Sequence, residues 1–315
     1  MNLFEQARRL SQAGVLGLNE RNGNYISAFN PRRLYPLVDD KLRTKELALQ
    51  AGMAVPELYA TVHTDHQANQ LEKLLEGRDN FVIKPATGSG GDGILVVAER
   101  KRDDRFRLIS GQIIRLGELK HHVSNVLSGQ YSLGGKADAA IIEYCVRFDP
   151  LFEPISYLGV PDIRIIVYRG YPAMAMVRLP TRQSQGKANL HQGAVGAGIN
   201  MASGCTTTAV LGNESIEEHP DTGAAIAGVE IPDWAGIVEL AARCSDVVGL
   251  GYLGVDVVLD RDQGPLILEL NARPGLNIQI ANRLGLKNTL HRIDTEADEA
   301  RDFRQRAAVS LALGE

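Results

Sequence analysis

Cysteine is scarce in this chain: three in 315 residues, Cys145, Cys205 and Cys244, far apart and with no CxxC pair. An odd, scattered set argues against a disulfide framework or a zinc ribbon and suits a reducing compartment, so a cytoplasmic location is expected. No run reaches about 18 consecutive apolar residues, so no membrane-spanning helix is expected. The first residues also lack the continuous apolar core of a signal peptide. Leu3, Phe4, Ala7 and Leu10 are spaced instead as one face of a short helix. Lysine and arginine form no block and the formal net charge is -4, which argues against a nucleic-acid partner. Internal repeats and low-complexity tracts are absent. What remains is 44% hydrophobic and 23% charged, an ordinary globular balance in a chain long enough to build lobes around a cleft.

Periodicity places a helix over 39–52, with Asp39 or Asp40 as its cap and Gly52 as its stop. A second amphipathic helix is expected over 66–77. Strands are expected at 80–84, 94–97 and 139–144, with a strand and a helix sharing 105–127. Strands 162–168 and 171–179 turn at Arg169-Gly170, and a helix over 233–249, with Trp234 in its core face, precedes strands 252–259 and 265–271. Hairpins are as common as crossovers, which predicts an α+β architecture rather than a doubly wound parallel sheet.

Gly88-Ser89-Gly90-Gly91-Asp92-Gly93 matches GxGxxG, but it runs into Ile94-Leu95-Val96-Val97, a strand. The dinucleotide reading needs a helix there, and no Lys-Ser/Thr follows for a Walker loop. A glycine turn between strands can still serve phosphates, because glycine lets backbone N–H groups approach an anion. The plain alternative is a hairpin loop, usually shorter and less glycine-rich. Lys84 ends the apolar strand just upstream, where a lysine must snorkel or meet an anion. The later loop Gly186-Lys187-Ala188-Asn189-Leu190-His191 is read as closing on the same ligand.

In the strand Leu266-Ile267-Leu268-Glu269-Leu270-Asn271, alternation puts Glu269 and Asn271 on one face and Leu266, Leu268 and Leu270 on the other. The turn at 260–264 brings Asp256 opposite residues 268–270. One Asp, one Glu and one Asn with room for water suit Mg²⁺. The competing reading is a buried acid paired with an arginine such as Arg273. His121-His122 is expected on exposed surface, since adjacent histidines point apart.

Lys84 with its glycine loop, Glu143-Tyr144, Asp162-Ile163-Arg164, Asn189-Leu190-His191, Gly254-Val255-Asp256 and Glu269-Leu270-Asn271 follow an order that resembles the ATP-grasp enzymes. Within these the chain is similar to the alpha-L-glutamate ligase group, which includes the ribosomal-protein glutamate ligase. It is similar more narrowly to the sugar-transfer-associated ATP-grasp proteins, which the segment His219-Pro220-Asp221-Thr222-Gly223 also fits. The resemblance covers about 39–285 and implies two α+β lobes gripping ATP between them, with a shortened N-terminal region. The implied division is 1–75 as N-terminal helical region and start of the core, 76–146 as small lobe and 147–315 as large lobe.

By the same resemblance, Lys84 holds the α- and β-phosphates, and Gly88, Ser89, Gly90, Gly91 and Gly93 cover the β- and γ-phosphates. Glu143 and Tyr144 mark the hinge whose backbone meets adenine. Asp162, Lys187, Asn189 and His191 complete the nucleotide set, and Lys41 matches the lysine of an Asp-Lys-Leu-Arg segment. Asp256, Glu269 and Asn271 bind two Mg²⁺ ions, with Mn²⁺ as the alternative, and Arg164 and Arg273 face an acyl phosphate. The implied activity is MgATP-dependent joining of a carboxylate to an amine, the substrates being glutamate, another amino acid or a peptide. A phosphotransferase and a non-catalytic nucleotide-binding subunit stay open beside it, as does a homo-oligomer. Residues 100–138 and 200–232 stand out as insertions.

Overall fold

The computed structural model describes residues 3–88, 90–102, 104–132 and 134–314. Helix α1 (Leu3–Gln12) opens the described chain. Helix α2 (Lys41–Gln50) starts at Asp40, whose carboxylate accepts hydrogen bonds from the N–H groups of Leu42 at 2.9 Å and Arg43 at 3.3 Å, and ends before Gly52 at φ +65°. The cap and stop seen in the sequence are therefore both used.

Among the described residues, the strands form two antiparallel sheets, one of six and one of seven. The small sheet holds β1 (Leu58–Val62), β2 (Phe81–Pro85), β3 (Leu95–Arg100), β4 (Arg105–Leu108), β5 (Ile113–Arg115) and β6 (Ala140–Glu143), in the order β1-β6-β2-β3-β4-β5. Helix α3 (Leu116–Leu127) covers it with Leu119, Val123 and Val126, whose spacing of three and four puts them on one stripe. Phe81 and Phe106 meet edge to face in this core, 5.9 Å apart.

The large sheet holds β7 (Asp162–Tyr168), β8 (Tyr171–Leu179), β9 (Val195–Ile199), β10 (Thr206–Leu211), β11 (Glu214–Ile216), β12 (Tyr252–Asp260) and β13 (Gly264–Asn271), in the order β11-β10-β9-β8-β7-β12-β13. Helix α4 (Trp234–Val248) lies on one face, over Ile163, Ile165 and Val167. Tyr25 packs on the other, against Tyr168 and Tyr252. With both faces covered, β7 and β12 are largely apolar on both faces, broken by Asp162, Arg164 and Asp256.

The α+β expectation holds, with local differences. The helix expected over 66–77 breaks at Gln70 into Asp65–Asn69 and Leu71–Leu74. The segment 105–127 contains two strands before its helix. Strand β9, Val-Gly-Ala-Gly-Ile, escapes a propensity reading because its glycines answer to packing. A Cβ on Gly198 would meet the Ala281 carbonyl at 2.9 Å, under the helix Asn277–Asn282. Residues 58–74, expected with the N-terminal region and start of the core, belong to the small-sheet unit: β1 pairs with β6 from Leu58↔Glu143 to Val62↔Ala140, and Ala68 and Leu71 pack in its core. Among the described residues, no helix is long and apolar enough to cross a membrane.

Phe81 is fully buried. Phe81→Ala is expected to destabilise the small lobe by about 3–5 kcal/mol, measured as a shift in the urea unfolding midpoint.

Candidate functional site

A cavity of about 1050 Å³ lies between the sheets, lined from the small sheet by Val82, Lys84 and Glu143 and from the large sheet by Asp256, Glu269 and Asn271. Strand alternation explains the small-sheet side. Phe81 and Ile83 enter the core, so Val82 and Lys84 turn to the cleft. Lys84 is 4% exposed and ion-pairs with Glu143, which stands at the end of β6 beside it. Lys45, on α2, reaches the other carboxylate oxygen at 2.9 Å and also donates to the Pro56 carbonyl. Burial pushes the Glu143 carboxyl up, but Lys84 and Lys45 outweigh it and hold it below the usual glutamate range. Burial is also the main force on Lys45, whose pKa is lowered against the pull of Glu143.

On the large-sheet side the hairpin register pairs Asp256 with Glu269 and Gly254 with Asn271. A bulge falls between the Asp256 and Val257 pairings, so Leu268 and Glu269 both line the cavity while Ile267 and Leu270 are core. The expectation that Leu268 faces the core is corrected: strict alternation fails at the extra residue. Lys41 Nζ lies 3.5 Å from the Glu269 carboxylate and donates to the carbonyl of Gly88, so one lysine ties α2 to the hairpin and the glycine flap. The Asn271 amide nitrogen is buried with no hydrogen-bond partner.

Asp256 is not an open ligand. Both its oxygens are taken by the Arg164 guanidinium, and Arg178 adds a bond at 2.8 Å. Arg178 also grips Asp162, so two arginines and two aspartates alternate across β7, β8 and β12. The physical reason is adjacency: Asp256 pairs with Arg164 across β12–β7, and Arg164 with Met176 across β7–β8, two residues from Arg178. Burial and the neighbouring Asp256 push Asp162 up to about 6 against Arg178, while Arg164 and Arg178 outweigh burial at Asp256 and hold it low. Arg164 therefore lines the cavity as the partner of Asp256 rather than as a free anion clamp.

Arg273 is absent from the cavity wall; it lies over the Tyr35 ring at 5.4 Å and 3.6 Å from Asp39. The Tyr144 N–H donates to the Glu57 carbonyl at 2.8 Å, so it is not free for a purine, although Tyr144, Cys145 and Val146 all line the cavity. Of the flap, Gly90 and Gly91 line the cavity, Gly88 and Gly93 do not, and Ser89 lies outside the described residues. Gly90 and Asp92 reach across the cleft: Asn189 and Gln192 each lie 3.3 Å from the Gly90 carbonyl, and Lys187 lies 3.2 Å from Asp92. Lys187 and Asn189 line the cavity, whereas His191 is exposed and only its N–H is used, by the Asn189 side chain.

Sequence reasoning missed Lys45 and Arg178. Each is a charge in an apolar stripe or strand, the signal that had marked Lys84. It also placed His122 on the surface, where the structure half-buries it against the Gly93 carbonyl at 3.0 Å.

Among the described residues, no three His, Cys, Asp or Glu side chains converge on a metal position. Mg²⁺ asks for less, since it keeps waters and takes one or two carboxylates plus phosphate oxygens. The cleft-lining Glu269 carboxylate and the side-chain oxygen of Asn271 are ligands of the kind that fit that demand.

A family model described as sugar-transfer associated ATP-grasp matches residues 20–295. A probable alpha-L-glutamate ligase of Maridesulfovibrio salexigens is 23% identical over 237 residues, 75% of this chain and 56% of the relative. Another, of Halorhodospira halophila, is 24% identical over 269 residues, 85% of this chain and 63% of the relative. The chain thus spans less than two thirds of the length of these relatives. Among solved structures, a Chryseobacterium gregarium RiPP-associated ATP-grasp ligase in complex with ADP and a leader and core peptide is 13% identical. The match covers 86% of this chain and 63% of that one, with a TM-score of 0.46.

Glu143→Gln leaves two buried lysines facing each other and is expected to cost about 3–5 kcal/mol at pH 7. A carboxyl held below its unfolded value stabilises above that value and loses the contribution as pH falls through the folded one. The gap between variant and wild type in urea unfolding should therefore narrow below about pH 4.3. A gap unchanged on acidification would contradict the assignment.

Proposed function

We propose that this chain, which belongs to the sugar-transfer-associated ATP-grasp family and has its two-lobed α+β fold, is an ATP-dependent ligase that joins a carboxylate to an amine. The observation that carries the reading is that one cavity between the sheets is lined by Lys84 from the small sheet and by Glu269 and Asn271 from the large sheet. A lysine buried beside its own carboxylate is held in one place, where it can take phosphate oxygens with little reorganisation. The flap's Gly90 and Gly91 cover the phosphate end, and Lys187 and Asn189 meet them from the large lobe. The purine lies along the backbone after Glu143, between Val82 and Leu268, which supply apolar faces. In this reading the lobes divide near residues 75 and 146, with β1 added to the small lobe.

Glu269 and the side-chain oxygen of Asn271 would hold Mg²⁺, which would supply charge neutralisation on the phosphate oxygens. Asp256 would add a third oxygen ligand only by giving up a guanidinium partner. The chain's own groups bind and orient. The γ-phosphoryl passes from ATP to a carboxylate oxygen, ADP leaves, and Arg164 and Arg178 offset the charge of the acyl phosphate. The amine nitrogen then attacks the carbonyl carbon and loses a proton. The carbon–oxygen bond to phosphate breaks, and an amide and inorganic phosphate remain. No protein nucleophile is required; positioning and charge neutralisation carry the rate. The substrate class is an amino acid such as glutamate, or a peptide. A nucleotide-binding role without turnover draws its support from Asp256, both of whose oxygens are engaged by arginine.

The purified chain, given MgATP and a panel of amino acids and peptides, is expected to release ADP and phosphate only when an acid and an amine are both present. Lys84→Ala and Glu269→Gln should each lower that rate by at least about 100-fold. A stable phosphorylated product would make it a phosphotransferase. Tight ATP binding with no ADP from any pair would make it a non-catalytic binder.

A further inference from the structure

We propose that His122 is a positioning residue: it braces the glycine flap from outside the cleft through the carbonyl of Gly93. Neither His122 nor Tyr131 lines the cavity, so any effect on a ligand must pass through the flap. His122 projects from α3, and its Nε2 lies 3.0 Å from the Gly93 oxygen. A carbonyl only accepts, so Nε2 carries the proton. Burial lowers the His122 pKa against the pull of this bond, which keeps the ring neutral near pH 7.

The chain after α3 completes the brace. The rings of Tyr131 and His122 lie 5.6 Å apart. The Tyr131 ring occupies the space beside Gly93: a Cβ there would meet the ring at 2.5 Å, and Gly93 sits at φ +75°. Only glycine accepts both the dihedral and the ring. Ser132, the next residue, forms an antiparallel bridge with Gly88 at the other end of the flap. Both ends of the flap are thus held by α3 and the turn after it, and Gly90 and Gly91 are presented to the cavity between them. The insertion at 100–138 acquires a use. A flap held in shape before a ligand arrives has less conformational entropy to lose on capture.

The ligand part of this inference rests on the proposed MgATP site; the mechanical part does not, and the experiment separates them. Amide hydrogen exchange over residues 90–94 is measured without nucleotide in wild type, His122→Ala and His122→Gln. Glutamine can place an N–H near the position of Nε2. Exchange should rise about five- to tenfold in His122→Ala and return close to wild type in His122→Gln, the size expected for one hydrogen bond. The Kd of a non-hydrolysable MgATP analogue should follow the same order, weakened about five- to tenfold in His122→Ala and restored in His122→Gln. Should His122→Ala fail to fold, Gly93→Ala attacks the same contact from the flap side and should raise exchange over 90–94 likewise. Unchanged flap exchange in His122→Ala, or equal loosening by alanine and glutamine, overturns the brace. A wild type that binds no analogue overturns the nucleotide reading, while the exchange data still decide the brace.

Discussion

Glu143, buried between two lysines, joins the parts of the molecule that form the cleft. Lys84 comes from the small sheet, and Lys45 from α2, whose Ala48 packs in the core of the large sheet. Three buried charges from separate elements are tolerable only together: remove one and the others are left without compensation in a medium that cannot solvate them. The cost of that arrangement fixes where the small sheet sits relative to α2. It also holds Lys84 in a single position in the cleft.

The floor of the large sheet obeys the same rule with arginine in place of lysine. Asp162, Arg164, Arg178 and Asp256 balance to zero net charge across three adjacent strands. Arginine suits this, because its planar fork can hold a carboxylate with two N–H groups and still reach a second. Glu269 and Asn271 stand just beyond this closed network, on the strand that follows Asp256. The cleft thus has a neutral, internally paired floor, with Glu269, tied to Lys41, and Asn271 beside it.

The glycine flap shows how local freedom becomes useful only when it is removed. Gly90, Gly91 and Gly93 all adopt positive φ, a conformation that costs other residues free energy. Left alone, such a segment samples many shapes. Lys41 and Ser132 at Gly88, and His122 and Tyr131 at Gly93, confine it. Lys187 and Asn189 then meet its tip from the large lobe.

Much of the fold was legible because its signals are local. Asp40 and Gly52 bound α2; Arg169-Gly170 turns β7 into β8; the apolar runs around Asp256 and Glu269 announce strands covered on both faces. Lys84 was readable as a charge ending an apolar strand, and Glu269 and Asn271 as polar residues two apart on one strand face. What the chain alone could not reveal is which charge finds which partner. Asp256 was read as a ligand because the hairpin turn sets it opposite Glu269, which the register shows, but its arginine partners arrive from β7 and β8. Arg273 was placed in the cleft by the family resemblance, yet the chain turns it onto Tyr35 and Asp39. His122 was assigned to the surface, yet a flap some thirty residues upstream folds onto it. Local chemistry determined the elements and the stock of charged side chains. Only the tertiary structure decided how those charges pair, because burial makes pairing compulsory and leaves the choice of partner to whatever strand or loop lies alongside.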